Sequence, residues 1–524
     1  MSEHNKEGWS RRDFLKGVGA AGLLGTAGAG LSRWERVPDA HSEPTGNGDT
    51  KDPRFLIVLC ASGGASIIDS AMAIRESESN RASTLNTFPD QLVKSIDGSP
   101  IRAVDMKMDA LGPIPAPFTS KQSEFVKKYK DEMMVVTQTG TSVTHQIAQR
   151  RSVTGNEAWN GRTLQECVAL EYGKGHTLPN VLLATGTSFI ENGNDPALPA
   201  HCLGETVSNP AVWPLALDGS KGITNIDRGL LQDMRTLRNE KIDPQSRFAR
   251  LFRNNQMMNR WRAVRGTPQR ALENQDLITK LMMYPDSAKY PLKASGLKSS
   301  PAAQRVREVF PKFEVDPLEA QAALAFLLLK FRVSVSVTIG PRFDLVAHGD
   351  DNIFDKIRNG GGGKGLPEGT ILNPPIAFDF SHQGHRSTQG MMWNRIYGIA
   401  DGLIRLLKSE EYKKGESFWD RSMIYIATDF GRTKVRPSKA PDFGTAHDLN
   451  NGFVLLSPLV NGNKVLGGVN PNTAMTYGFD PTTGAPDKGK TMEEKQIFGG
   501  ILHALKVNTS DSGLPDMRAM RKNA

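Results

Sequence analysis

The sequence predicts an α/β protein: a largely parallel central sheet with helices on both faces and a helical, basic insertion. Three observations carry this prediction. Short apolar runs at Arg54–Cys60 (RFLIVLC), Met133–Thr139 (MMVVTQT) and Ser422–Thr428 (SMIYIAT) have the length of buried strands rather than helices. Between them lie segments with helical spacing, among them Lys121–Asp131, Thr163–Tyr172 and LEAQAALAFLLLKF, which ends at Phe331. Strands flanked in this way by helices bury both faces of a sheet.

The N-terminus reads as an address. Ser10-Arg11-Arg12-Asp13-Phe14-Leu15-Lys16 is a twin-arginine export motif, and Gly17–Leu31 is a Gly/Ala-rich apolar region too short to span a bilayer comfortably. Ala27-Gly28-Ala29 offers a cleavage site. Residues 1–31 are therefore expected to be a signal peptide and residues 32–53 a linker. The mature protein is expected to be periplasmic or secreted, with the twin-arginine translocase as partner and no transmembrane span. The other reading is a chance Arg pair before an apolar patch. Gly17–Gly22 matches a dinucleotide fingerprint, but no strand precedes it.

Composition bounds the rest. An apolar content of 38% and a charged content of 23% are those of a soluble globular protein with ample chain for a core. A net charge of +9 suits anionic ligands or an anionic envelope surface and says nothing about fold. The three cysteines, Cys60, Cys167 and Cys202, leave at least one unpaired within the chain and form no C-x-x-C motif.

The first strand ends in Ala61-Ser62-Gly63-Gly64-Ala65-Ser66, a small-residue turn where backbone can approach a ligand, followed by Asp69. Asp69 is either a ligand delivered by the strand or part of an ordinary strand-to-helix turn. The second strand runs into Gly140-Thr141-Ser142-Val143-Thr144-His145. A hydroxyl beside a histidine at a helix start suits an anion site or a nucleophile, and equally an N-cap with an incidental histidine.

Leu178–Thr187 reads as a strand, and Ser188–Val315 as an inserted or flanking helical region. Within it, Arg235–Arg270 holds ten Arg or Lys against two acidic residues. Such a run is a solvated helix face or a surface for an anionic polymer; thin aromatic interleaving and export argue against nucleic acid. Asp316-Pro317 opens a capped helix. Arg332–Ile339 has β-branched alternation and is expected to be a strand. Gly340–Ala377 is expected to be irregular.

Two constellations then stand out. Asp379, His382 and His385 fall within seven residues, just before a long helix with apolar positions Ile396, Tyr397, Ala400, Leu403, Ile404 and Leu407. Imidazole and carboxylate are the usual ligands of zinc and similar ions. Downstream, Asp429 and Arg432 end the Ser422–Thr428 strand, and His447 precedes the apolar run Phe453–Leu456. Ligands of open α/β sheets bind outside the carboxyl ends of strands, so this stretch is a candidate metal or phosphate site. The chain closes with an amphipathic helix at Lys495–Leu505 and a basic tail at 508–524 expected to fray.

Over Arg54–Val507 this order of motifs resembles the twin-arginine-exported family catalogued as domain of unknown function 1501, itself similar to the alkaline phosphatase and sulfatase superfamily. The resemblance rests on Gly63-Gly64-Ala65, Thr144-His145-Gln146-Ile147-Ala148-Gln149, Asp379–His385, Thr428-Asp429-Phe430-Gly431-Arg432-Thr433 and Gly444-Thr445-Ala446-His447-Asp448. Ser66 and Ala446 stand where the family carries acids, and Asp379 and His382 are spaced by three rather than two. The resemblance implies an alkaline phosphatase-like three-layer sandwich and a metal-dependent hydrolase of phosphate or sulfate esters, using zinc, manganese or calcium. It implies one metal on Asp379, His382 and His447 and a second on Asp429 and Asp69. Thr144 would be the nucleophile, with His145 or Arg432 holding a substrate oxygen and His385 in reserve. An anionic small molecule or polymer would be the substrate. The competing expectation is a non-catalytic envelope protein that retains the fold.

Overall fold

A computed structural model describes residues 52–108, 118–184, 186–214, 228–255, 258–259, 277–295, 297–341, 377–437 and 440–522. The expected signal peptide, most of the linker and nearly all of the expected irregular segment before Asp379 lie outside them. Among the described residues the chain divides into two compact units: 212–304, and 52–211 with 305–522. The first contains helices at Arg228–Leu237, Arg247–Leu251 and Leu277–Leu281.

The second unit is built on an eight-stranded mixed sheet. Its strands are β1 (Phe55–Cys60), β2 (Met133–Thr139), β3 (Asn180–Leu182), β4 (Glu205–Thr206), β5 (Ser336–Ile339), β6 (Ser422–Ala427), β7 (Asn450–Leu456) and β8 (Lys464–Leu466). The order across the sheet is β8-β2-β7-β6-β1-β5-β3-β4. β7 runs antiparallel to both its neighbours, and every other pairing is parallel. The α/β class and the predominance of parallel pairing are thus as the sequence predicts. β1 and β6 are buried along their whole length, as continuous apolar runs in the middle of a covered sheet must be.

Six helices of this unit cover the sheet: α1 (Gln122–Tyr129), α2 (His145–Thr154), α3 (Leu164–Tyr172), α4 (Pro317–Lys330), α5 (His385–Lys408) and α6 (Glu494–Ala504). They pack as two sets, α1, α4 and α5 in one and α2, α3 and α6 in the other, an arrangement compatible with a three-layer α/β fold. The starts of α3 and α4 follow from local chemistry. Thr163 and Glu166 form a reciprocal capping box. Asp316 accepts hydrogen bonds from Leu318 N and Glu319 N, with Pro317 in the first turn. No helix among the described residues is long and apolar enough to cross a membrane.

Some expectations need correction. β5 covers only half of Arg332–Ile339. Arg332 takes a left-handed φ of 53°, and Val333 and Val335 spend their N–H groups on Leu328 O and Pro179 O. The strand expected over Leu178–Thr187 is three residues long. The tail is packed rather than frayed: Met517 and Met520 are fully buried, and Arg521 pairs with Val460. All three cysteines are buried and unbridged.

Candidate metal centre

The carboxyl ends of β1, β2 and β6 and the entry to β7 lie at one end of the sheet, and the polar residues gather there. β1 exits into Gly63-Gly64, both with positive φ (97° and 82°). A Cβ at Gly63 would lie 2.4 Å from Asp379 N, so only glycine permits this approach. β2 exits through Gly140–Thr144 to His145, the first residue of α2. β6 exits to Asp429. His447 enters opposite Arg432 in a two-residue antiparallel ladder (Gly431–Arg432 with His447–Asp448) and leads into β7. Asp379 and His382 share a 3-10 helix, Ala377–His382, ahead of α5. With three residues per turn, positions three apart lie on one face, so this spacing brings both side chains to the same side.

The result is four side chains converging on one point. Asp379 Oδ1 lies 3.2 Å from His382 Nε2, 3.3 Å from His145 Nε2 and 3.3 Å from His447 Nε2. His382 Nε2 and His447 Nε2 are 2.9 Å apart. Arg432 Nη2 donates to the same Asp379 oxygen at 2.6 Å. A carboxylate oxygen has two lone-pair sites, so four nitrogen partners exceed what hydrogen bonding can use. One ligand atom each from His145, Asp379 and His447 lie within 4.8 Å of one another, close enough to share a cation. Phe430 stacks on the His447 ring with centroids 4.0 Å apart and gives the cluster an apolar wall.

The outer nitrogens of two of the rings are engaged as metal-ligand histidines require. His447 Nδ1 donates to Val143 O at 2.8 Å, which fixes the ring with Nε2 directed at the cluster. His145 Nδ1 is 2.8 Å from Asp429 Oδ2. A carboxylate behind a histidine fixes the ring and raises its basicity. Asp429 is itself held by Gly64 N at 2.7 Å and by Gly63 N at 3.1 Å.

Charge in the cluster is strongly coupled. Burial alone would raise the Asp379 pKa, but hydrogen bonds from His145, His382 and His447 and the Arg432 charge override it and hold the carboxyl well below the usual range. Burial would lower the His145 pKa, yet its contacts with Asp379 and Asp429 push it up to about 9. Without a cation, His145 is therefore protonated at neutral pH, with an N–H aimed at each carboxylate.

The structure thus brings together Asp379, His382, His447, His145 and Arg432. His145, read from its Thr-His setting as an anion-site or nucleophile partner, lies among the converging groups that could share a cation. Asp429 sits behind His145 rather than among the converging atoms. Asp69, expected beside Asp429, lies elsewhere: it is fully buried and paired with His385 Nε2 at 2.9 Å. No second group of three metal-ligating side chains occurs among the described residues. Arg432 is fully buried and donates to Gly63 O, Phe378 O and Thr445 O as well as to Asp379. Thr144 is exposed at the N-cap of α2, and its hydroxyl makes no capping bond.

Compared with known proteins, the chain matches no family model, no curated protein and no solved structure. Fold and site alone define its class: an α/β protein with a three-histidine, one-carboxylate cluster at the carboxyl end of its sheet.

Proposed function

We propose that the protein is an exported, metal-dependent hydrolase of phosphate or sulfate esters, a divergent alkaline phosphatase-like member of the domain of unknown function 1501 family working through a single-metal centre. The observation that carries this reading is the convergence of His145, His382, His447 and Asp379 on one point, with Asp429 and the Val143 carbonyl behind two of the rings. Three imidazoles and a carboxylate suit zinc better than calcium, which prefers an all-oxygen shell. A bound divalent cation supplies Lewis-acid polarisation of an ester oxygen.

The chain's own residues have distinct parts. His382 is 41% exposed, so the cluster has an open side for a ligand. Asp429 fixes the His145 ring. Thr144 precedes His145 at the N-terminus of α2, where backbone N–H groups favour an anion, and is the proposed nucleophile. Arg432 holds Asp379 in place; its bonds to backbone carbonyls leave it a supporting part rather than a substrate contact.

Elemental analysis of the exported, folded protein, beside His447→Ala and Asp379→Ala, tests this reading. Near-stoichiometric zinc in the wild type, lost in both variants, is expected, together with hydrolysis of p-nitrophenyl phosphate or sulfate. Wild-type protein that takes up no zinc, manganese or calcium would sink it. A second reading, a non-catalytic envelope protein, is favoured by Asp69 and Arg432 being committed to internal partners. Stoichiometric metal with no ester hydrolysis would select it.

A further inference from the structure

A second polar network lies beneath the cluster. His385, the first residue of α5, is fully buried; its Nε2 faces Asp69 Oδ1 at 2.9 Å and its Nδ1 faces Thr445 Oγ1 at 2.9 Å. Asn86 Nδ2 donates to both Asp69 oxygens, at 3.0 and 3.2 Å. Phe443 stacks on the His385 ring. Thr445 Oγ1 is held between His385 Nδ1, at 2.9 Å, and Ser381 O, at 3.3 Å.

Thr445 is the node where this chain of bonds meets the candidate metal centre. Its N–H also donates to Ser381 O, at 2.8 Å, and its own carbonyl accepts from Arg432 Nη1 at 3.3 Å. Ser381 directly precedes His382, and Thr445 stands two residues before His447. Gly444 packs so closely that a Cβ there would lie 2.3 Å from His382 O. The segments carrying His382 and His447 are thus pinned together at Thr445, and Thr445 is pinned to the core through His385 and Asp69. A buried carboxylate and imidazole carry a large desolvation cost, and apolar side chains could anchor a loop without it. What the polar chain adds is direction: it fixes the Thr445 hydroxyl, and with it the separation of two histidine ligands.

We infer that Asp69, His385 and Thr445 form a positioning relay that sets the spacing of His382 and His447 for the cation. The inference rests on the single-metal reading above. The test is zinc affinity, by competition with a chromophoric chelator, and the visible absorption of the cobalt-substituted protein, for wild type, Thr445→Val, Thr445→Ser and Asp69→Asn. Thr445→Val is expected to bind zinc about 10–100-fold more weakly, the range for groups that orient a metal ligand. Its cobalt spectrum is expected to change, and Thr445→Ser, which keeps the hydroxyl, to restore both readouts. A merely structural threonine would lower stability without altering the cobalt spectrum. Thr445→Val with wild-type affinity and spectrum would overturn the relay while leaving the metal centre intact. Should Thr445→Val fail to fold, the same two readouts on the near-isosteric Asp69→Asn decide the matter. A wild type that binds no metal fails the functional reading first, and the relay with it.

Discussion

His145 bridges two carboxylates: Nδ1 lies 2.8 Å from Asp429 Oδ2, and Nε2 lies 3.3 Å from Asp379 Oδ1. One carboxylate belongs to the converging cluster and the other orients the ring from behind. Asp429→Asn keeps the shape and removes the charge behind the ring. Zinc affinity is expected to fall about 10–100-fold while the circular dichroism spectrum is unchanged. Unaltered affinity would show that Asp429 serves only to hold the Gly63-Gly64 turn.

Asp379→Ala is expected to destabilise the fold as well as remove a ligand. Arg432 is fully buried, and Asp379 is its only ion-pair partner among the described residues. Breaking a buried pair on one side costs about 3–5 kcal/mol, and the carbonyls around Arg432 place the expected loss near the lower end. Urea unfolding of the metal-free protein measures it. Asp379→Asn, which can still accept from Arg432, should lose less.

Gly63→Ala combines a positive φ with a Cβ 2.4 Å from Asp379 N. The left-handed backbone alone costs a non-glycine residue about 1–2 kcal/mol, and the contact adds to it. The unfolding midpoint is expected to drop, and metal uptake with it, because the displaced backbone carries Asp379. A variant with wild-type stability would show that this turn can relax.

His176 gives stability an acid limb. Both its ring nitrogens are buried, and burial lowers its pKa to about 4 from 6.5. The unfolded chain takes up this proton below 6.5, while the folded chain resists until about 4. Stability is therefore lost as pH falls through that window, by up to about 3 kcal/mol in total. His176→Phe should flatten the dependence between pH 6.5 and 4 in urea titrations, and an unchanged slope would assign the limb to other groups.

Much of the frame was legible because burial on both faces writes a continuous apolar run, as in β1, β2 and β6, and because Asp316-Pro317 marks a helix start chemically. The antiparallel direction of β7 was not, since an apolar run reads alike in either direction. Nor was the shortening of β5, which follows from where Val333 and Val335 find carbonyl partners. At the site, the density of Asp and His around 379–385 and 429–447 pointed to segments whose side chains the fold brings together. The fate of Asp69 was hidden: it depends on α5 beginning at His385 and turning that ring inward, a tertiary event without a local signal. The role of Arg432 was hidden for the same reason, because backbone carbonyls that consume a guanidinium leave no mark in sequence.

The placement of β1 sets the order of events when the chain is made. It lies between β5 and β6, and the turn after it closes on Asp429 across 366 residues of sequence. No early segment can complete the sheet by itself. Such distant pairings fold slowly, because long loops must close before any contact rewards them. Unpaired β1 edges stay exposed through most of synthesis and invite aggregation. The later-made stretch from β6 onward supplies both the missing strands and His447. Completion of the core and assembly of the cluster are therefore a single late step, so a chain truncated before β6 should be insoluble as well as metal-free.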